Sequence, residues 1–221
     1  MIVRKAAVFA PKDYCAAATR PRHMMAPVLV MLAALGPLAA CSPMSAVVGA
    51  GATAGTVAAQ ERPADKAASD AAIRAEINYL WATHSAVVYR KVDMSVIEGR
   101  VVLTGSVINP QTRIDAARLA WQADGVKEVD NEIQVEDQSG LVDKARDAWI
   151  AAKLKSRILV DSGVKSINYS IDVVNGTVYL MGIAQNEDEL KRVENHARDM
   201  RYVHAVVNYV RLKDDPRRKG L

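Results

Sequence analysis

A constant displacement of 77 residues, without gaps, lays the second half of this chain on its first. IEGRVVLTGSV (97–107) falls on VNGTVYLMGIA (174–184). The identities include Ile73/Ile150, Val96/Val173, Gly99/Gly176, Val101/Val178, Leu103/Leu180 and Gly105/Gly182. Asn109/Asn186, Val126/Val203, Val129/Val206 and Asn131/Asn208 continue the series. An internal repeat restricts the fold more than composition does, because whatever one copy forms the other forms too.

Each copy predicts the same elements. Ile73, Ile77 and Leu80, and Ile150, Leu154 and Ile158, recur at helical spacing. Asp161-Ser162-Gly163 ends the second of these helices, with Gly163 free to take positive φ. Val92, Met94 and Val96, and Tyr169, Ile171 and Val173, alternate as a strand. Glu98-Gly99 and Asn175-Gly176 read as hairpin turns, and Val101/Leu103 or Val178/Leu180 as the return strands. Asn109 and Asn186 cap a second helix, helped by Pro110 at its first position or by Glu187, Asp188 and Glu189 in its first turn. Asn186-x-x-Glu189 reads as a capping box. A last strand runs through Val129–Val135 or Val206–Leu212. The class is therefore α+β: two tandem α-β-β-α-β units, 69–137 and 142–214, each a three-stranded sheet packed on two helices. A unit of ~70 residues is near the lower limit for a self-sufficient core, so the copies are expected to pack on each other.

The pattern G-x-V-x-L-x-G, then Asn, a helix and V-x-x-V-x-N, resembles the BON domain of bacterial envelope proteins. Gly99, Val101, Leu103 and Gly105 carry it in one copy, and Gly176, Val178, Leu180 and Gly182 in the other. One position departs: Tyr202 stands where the first copy has Gly125, before the last strand.

The residues before the repeats read as a targeting segment. Arg20, Arg22 and His23 precede an uncharged run from Ala26 to Ala40, whose length and flanks suit a signal peptide over residues 1–40. Met24 and Met25 are alternative starts to Met1. The run ends in Leu38-Ala39-Ala40-Cys41, which resembles the bacterial lipobox, so Cys41 is the expected lipidation site. Residues 42–68, rich in Ser, Ala, Gly and Thr, are expected to be a flexible tether. Residues 215–221 form a basic tail, in which Arg217-Arg218-Lys219 could touch anionic lipid or stay solvated. A lipobox followed by two BON units resembles the dual-BON lipoproteins. That family implies attachment to the periplasmic face of the outer membrane, binding of anionic phospholipid by the second unit, and support of envelope integrity.

The formal charge of +4 is concentrated in the leader; residues 41–221 carry 24 basic and 24 acidic side chains. Nucleic acid is thus not an expected partner. Cys15 and Cys41 are the two cysteines, so no thiol chemistry is expected in the repeats. His84, His196 and His204 show no metal-ligand spacing, and Gly49 to Gly55 has G-x-G-x-x-x-G spacing with no preceding strand. No catalysis, cofactor, metal or small-molecule substrate is expected.

One difference between the copies points to a site. Residues 70–137 carry 7 basic and 11 acidic groups, whereas 143–214 carry 12 and 10. On the first helix of the second copy, Arg146, Trp149, Lys153 and Arg157 form one row; Ser69, Ala72 and Glu76 stand opposite the first three. The shared core therefore does not require the tryptophan. An indole among cations suits the headgroup layer of an anionic bilayer, and it equally suits a seam between the copies. The resemblance favours the first use, with Arg146, Trp149, Lys153 and Arg157 as the lipid-binding set. The rival expectation is an adaptor that binds envelope proteins and has no lipid recognition beyond its anchor. Tyr169, Tyr179 and Tyr209 are expected in strands, and Trp81 and Trp121 in packing.

Overall fold

The two hairpins show why the motif is written twice. Glu98 and Gly99 have φ of 58° and 78°, and Asn175 and Gly176 of 48° and 72°. Positive φ at both central positions makes the tight turn whose twist matches the flanking strands. Each turn is held from below by a buried carboxylate. Asp70 accepts hydrogen bonds from the backbone N–H of Glu98 and Gly99, both at 2.8 Å. Asp147, 77 residues on, accepts from Asn175 at 2.7 Å and Gly176 at 2.9 Å. The second glycine of the motif serves a different need. A Cβ on Gly105 would lie 2.3 Å from the Lys91 carbonyl oxygen, and one on Gly182 2.5 Å from that of Asn168.

The computed structural model describes residues 60–136 and 141–218, with only the backbone at 141 and 142. The first repeat comprises α1 (Ala64–His84), α2 (Ala86–Lys91), β1 (Val92–Ile97), β2 (Arg100–Val107), α3 (Pro110–Ala120), β3 (Glu128–Asn131) and β4 (Gln134–Val135). The second comprises α4 (Leu141–Val160), β5 (Tyr169–Val174), β6 (Thr177–Ala184), α5 (Glu187–Arg198) and β7 (Ala205–Leu212), with a short 3-10 turn at Ser166–Asn168. In each repeat the hairpin is antiparallel and the last strand joins its return strand in parallel. The expected last strand of the first repeat is divided: β3 and β4 both pair with β2, and between them Ile133 turns into the core.

Two apolar cores lie between helices and sheets. Ile73, Ile77 and Trp81 pack on Val101, Leu103 and Leu119 in the first, and Ile150, Leu154 and Ile158 on Val178, Leu180 and Val193 in the second. Trp81 Nε1 donates to the Ala116 carbonyl at 3.2 Å. Trp121, also expected in packing, is 53% exposed. It follows the last residue of α3, beyond the reach of the core.

The opposite faces of the sheets are covered as well. Arg100, Val102 and Thr104 of β2 and Tyr179, Met181 and Ile183 of β6 are buried although they point away from the helices. The two sheets therefore face each other, with helices on the outside. Ser95 Oγ donates to Asp172 at 2.9 Å, and Tyr209 Oη donates to Glu132. Both pairs are 77 residues apart, the displacement of the repeat itself. Each joins a position to its own counterpart, the signature of a local two-fold axis. The seam is polar. Arg211 pairs with Glu128 at 2.8 Å, and Arg100 donates to the Tyr209 carbonyl at 3.2 Å. Burial, and then repulsion from Arg211, draw the Arg100 guanidinium below its ordinary pKa.

Several expectations at the margins need correction. The end of the expected tether belongs to the fold: α1 begins at Ala64, inside residues 41–68. Ahead of it, Glu61 pairs with Lys165 at 2.7 Å and with Lys213 at 2.8 Å, and Arg62 pairs with Asp70 at 2.6 Å. The tail is tied down too, because Arg218 pairs with Glu98 of the first repeat at 2.8 Å. Gly163 has no positive φ; its N–H is held by Asp161 Oδ1 at 2.9 Å instead. Asn186 does cap α5, through the Glu189 N–H at 2.9 Å. The return bond of the capping box differs, because Glu189 accepts from Gln185 and Lys165 N–H. Cys41 and the expected signal peptide lie outside the described residues.

Candidate functional site

The buried stripe of α4 decides what its other faces present. Ile150 and Leu154 are fully buried and Ile158 nearly so. Trp149, about 100° round the axis from Ile150, is 47% exposed. Its ring is not enclosed between the repeats. It meets Tyr202 of its own repeat edge-on, with centroids 6.3 Å apart and planes at 70°. Arg146 Cζ lies 5.1 Å from the Tyr202 ring centroid and Arg201 Cζ 4.6 Å. Two guanidinium groups thus flank one phenol, within the range of cation–π attraction. Arg146 is also held by Asp143 at 2.9 Å.

Tyr202 is in an unfavourable conformation. Its φ is 72°, matching the 87° of Gly125 in the first repeat. A side chain there costs roughly 1–2 kcal/mol, because its Cβ crowds the following carbonyl. The second repeat keeps the glycine-type turn but carries a half-exposed aromatic on it. Strain of this kind, at a position where the sister copy has none, marks a functional candidate.

The structure brings together part of the expected set. Arg146 and Trp149 converge through Tyr202. Lys153 and Arg157 continue along α4, one exposed and the other half-buried, apart from the ring cluster. The sequence reading missed Tyr202 and Arg201, although the Gly125/Tyr202 departure was visible. It also missed the end of the helix, where Leu159 is 71% and Val160 80% exposed. Val160 lies three turns beyond Trp149 on nearly the same face, about 16 Å along the axis. The outer surface of α4 is therefore apolar at two places and rimmed by cations. Among the described residues no cluster of His, Cys, Asp or Glu could hold a metal ion, and no helix is long and apolar enough to cross a membrane. His196 Nε2 contacts Asp161 at 2.8 Å. This contact first, and then the Gly163 N–H, lowers the carboxyl pKa.

Two small α+β units thus stand in tandem, and the second carries an exposed aromatic–guanidinium surface. The BON domain model matches residues 69–137 and 146–214, and the chain belongs to the BON-domain family. It is 44% identical over 151 residues, 68% of this chain and 99% of the relative, to a protein of Anaplasma centrale named "Uncharacterized protein in gshII 5'region". It is 30% identical over 140 residues to the outer membrane lipoprotein DolP of Haemophilus influenzae, covering 63% of this chain and 72% of that one. The 21 kDa hemolysin of Actinobacillus pleuropneumoniae is 30% identical over 122 residues, 54% of this chain and 63% of the relative. The arrangement of the chain is that of a dual-BON protein of the DolP type.

Proposed function

We propose that this protein is an outer-membrane lipoprotein, anchored through Cys41 on the periplasmic face, whose second BON domain binds anionic phospholipid and so supports envelope integrity. The observation that carries this reading is the exposed cluster of Trp149, Tyr202, Arg146 and Arg201, set where the first domain has Ala72, Gly125, Ser69 and Asp124. Indole and phenol rings suit the headgroup level. Each cation near an anionic surface contributes up to about 1 kcal/mol. Together they give a dissociation constant around millimolar. A tethered domain needs no more, because the anchor keeps its local concentration high. The similarity to a protein named as an outer membrane lipoprotein supports the location. The activity is binding, not catalysis.

Binding of the full chain carrying Cys41→Ser to phosphatidylglycerol vesicles tests the reading. We expect binding that weakens with salt and falls at least about tenfold in Trp149→Glu. Binding unchanged in Trp149→Glu would overturn it. A second reading, an adaptor for another envelope protein, is favoured by the first domain, where Ile114 (56%) and Trp121 (53%) share one exposed face. It gains if vesicle binding is absent.

A further inference from the structure

The groove between the two domains gathers four cations and three carboxylates. It encloses about 360 Å³ and draws its walls from both domains. Arg90 and Lys91 reach it from the end of α2. Lys144 and Lys155 reach it from α4, about 120–140° round the helix from Trp149, so it is separate from the aromatic cluster. None of the four is in an ion pair among the described residues. Lys91 and Lys144 come from different domains and line the same groove. Lys144, first as a hydrogen-bond partner and then through its like charge, loosens the Lys91 proton.

Asp93, Asp147 and Asp172 also line the groove, but none of them forms an ion pair with these cations. Both oxygens of Asp147 are taken by the Asn175-Gly176 turn. Asp172 accepts from Ser95. Removal from solvent, and then Asp172, push the Asp93 carboxyl towards its neutral form. The four cations are exposed and, among the described residues, unpaired on two independent walls, so one anion in the groove can meet both walls at once.

We propose that this groove binds a phosphate-bearing anion, seated between Lys91 and Lys144 with Arg90 and Lys155 at its rim. A tetrahedral phosphate presents oxygens in several directions at once, so it can accept charge-assisted bonds from opposed walls. The volume leaves room for a small substituent on the phosphate. Because the ligand touches both domains, its binding also stiffens the seam between them.

Thermal melting of the full chain carrying Cys41→Ser, with inorganic phosphate or chloride at equal ionic strength, tests the site. Phosphate should raise the midpoint saturably beyond chloride, because a ligand of the folded state stabilises it. Lys91→Gln/Lys144→Gln should abolish the difference while melting no lower than the parent without phosphate, since repulsion is relieved. Lys91→Arg should keep the response. Equal effects of phosphate and chloride on the parent would overturn the proposal, as would a response retained by the double variant. Glycerol phosphate separates the sources. Tighter binding than phosphate, with weaker vesicle binding by the double variant, identifies a lipid headgroup. Phosphate binding as tight or tighter, with vesicle binding intact, identifies free phosphate. Trp149→Glu should leave the phosphate response intact, so the two proposed sites fail separately.

Discussion

Tyr202 separates stability from function within one residue. Its backbone holds the left-handed conformation that Gly125 holds in the sister domain, and its ring meets Trp149 and two guanidinium groups. Tyr202→Gly should melt no lower than the parent and as much as roughly 1 kcal/mol more stable, yet lose severalfold in vesicle binding. Parallel losses in both measurements would show that the ring is structural. Glu61 supplies a pH prediction. Lys165, Lys213 and Gln185 hydrogen bonds hold its carboxyl down to about 2, from 4.5. A depressed carboxylate contributes stability above its unfolded pKa and loses it as pH falls through the folded one. The melting difference between the parent and Glu61→Gln should be full at neutral pH, shrink below 4.5 and vanish near 2. A difference independent of pH would contradict the ion-pair account.

Among elements, the hairpins were the most legible in the sequence and their supports the least. Glycine spacing announced the turns because only such residues take positive φ cheaply. Asp70 and Asp147 carry no local signal, since each acts on backbone 28 or 29 residues away. The same limit hid the pairing of Trp149 with Tyr202 and the docking of Arg218 on Glu98: side chains far apart in sequence share no period. The row Arg146, Trp149, Lys153 and Arg157 was readable because one helix carries all of it. Tyr202 was visible only as an exception to a motif. Asp147→Ala removes both acceptors beneath a buried turn and should cost about 1–3 kcal/mol in denaturant unfolding. A negligible change would mean that the turn stands without it.

At the scale of the whole molecule, the repeat has become a shape. The central strands β2 and β6 are buried on both faces, so neither sheet is covered without the other domain. Calorimetry should show one cooperative transition, and Met181→Asp, placed in the seam, should lower it for both domains together. Two resolved transitions would refute this dependence. Arg100, Arg211, Glu128 and the Glu132–Tyr209 bond give the seam a polar character. Polar contacts of this kind fix the angle between domains more strictly than apolar ones, because a misplaced charge has nowhere to go.

The grip on Glu61 has a mechanical consequence. Lys165 lies five residues past the end of α4, so the chain coming from Cys41 is moored beside the tip of the helix that bears Trp149. The intervening 20 steps span at most about 70 Å however they are laid out. Were Cys41 lipidated, as proposed, the pull of the anchor would enter the body at that corner. Freeing Glu61 would leave the mooring line attached but let the body swivel on it.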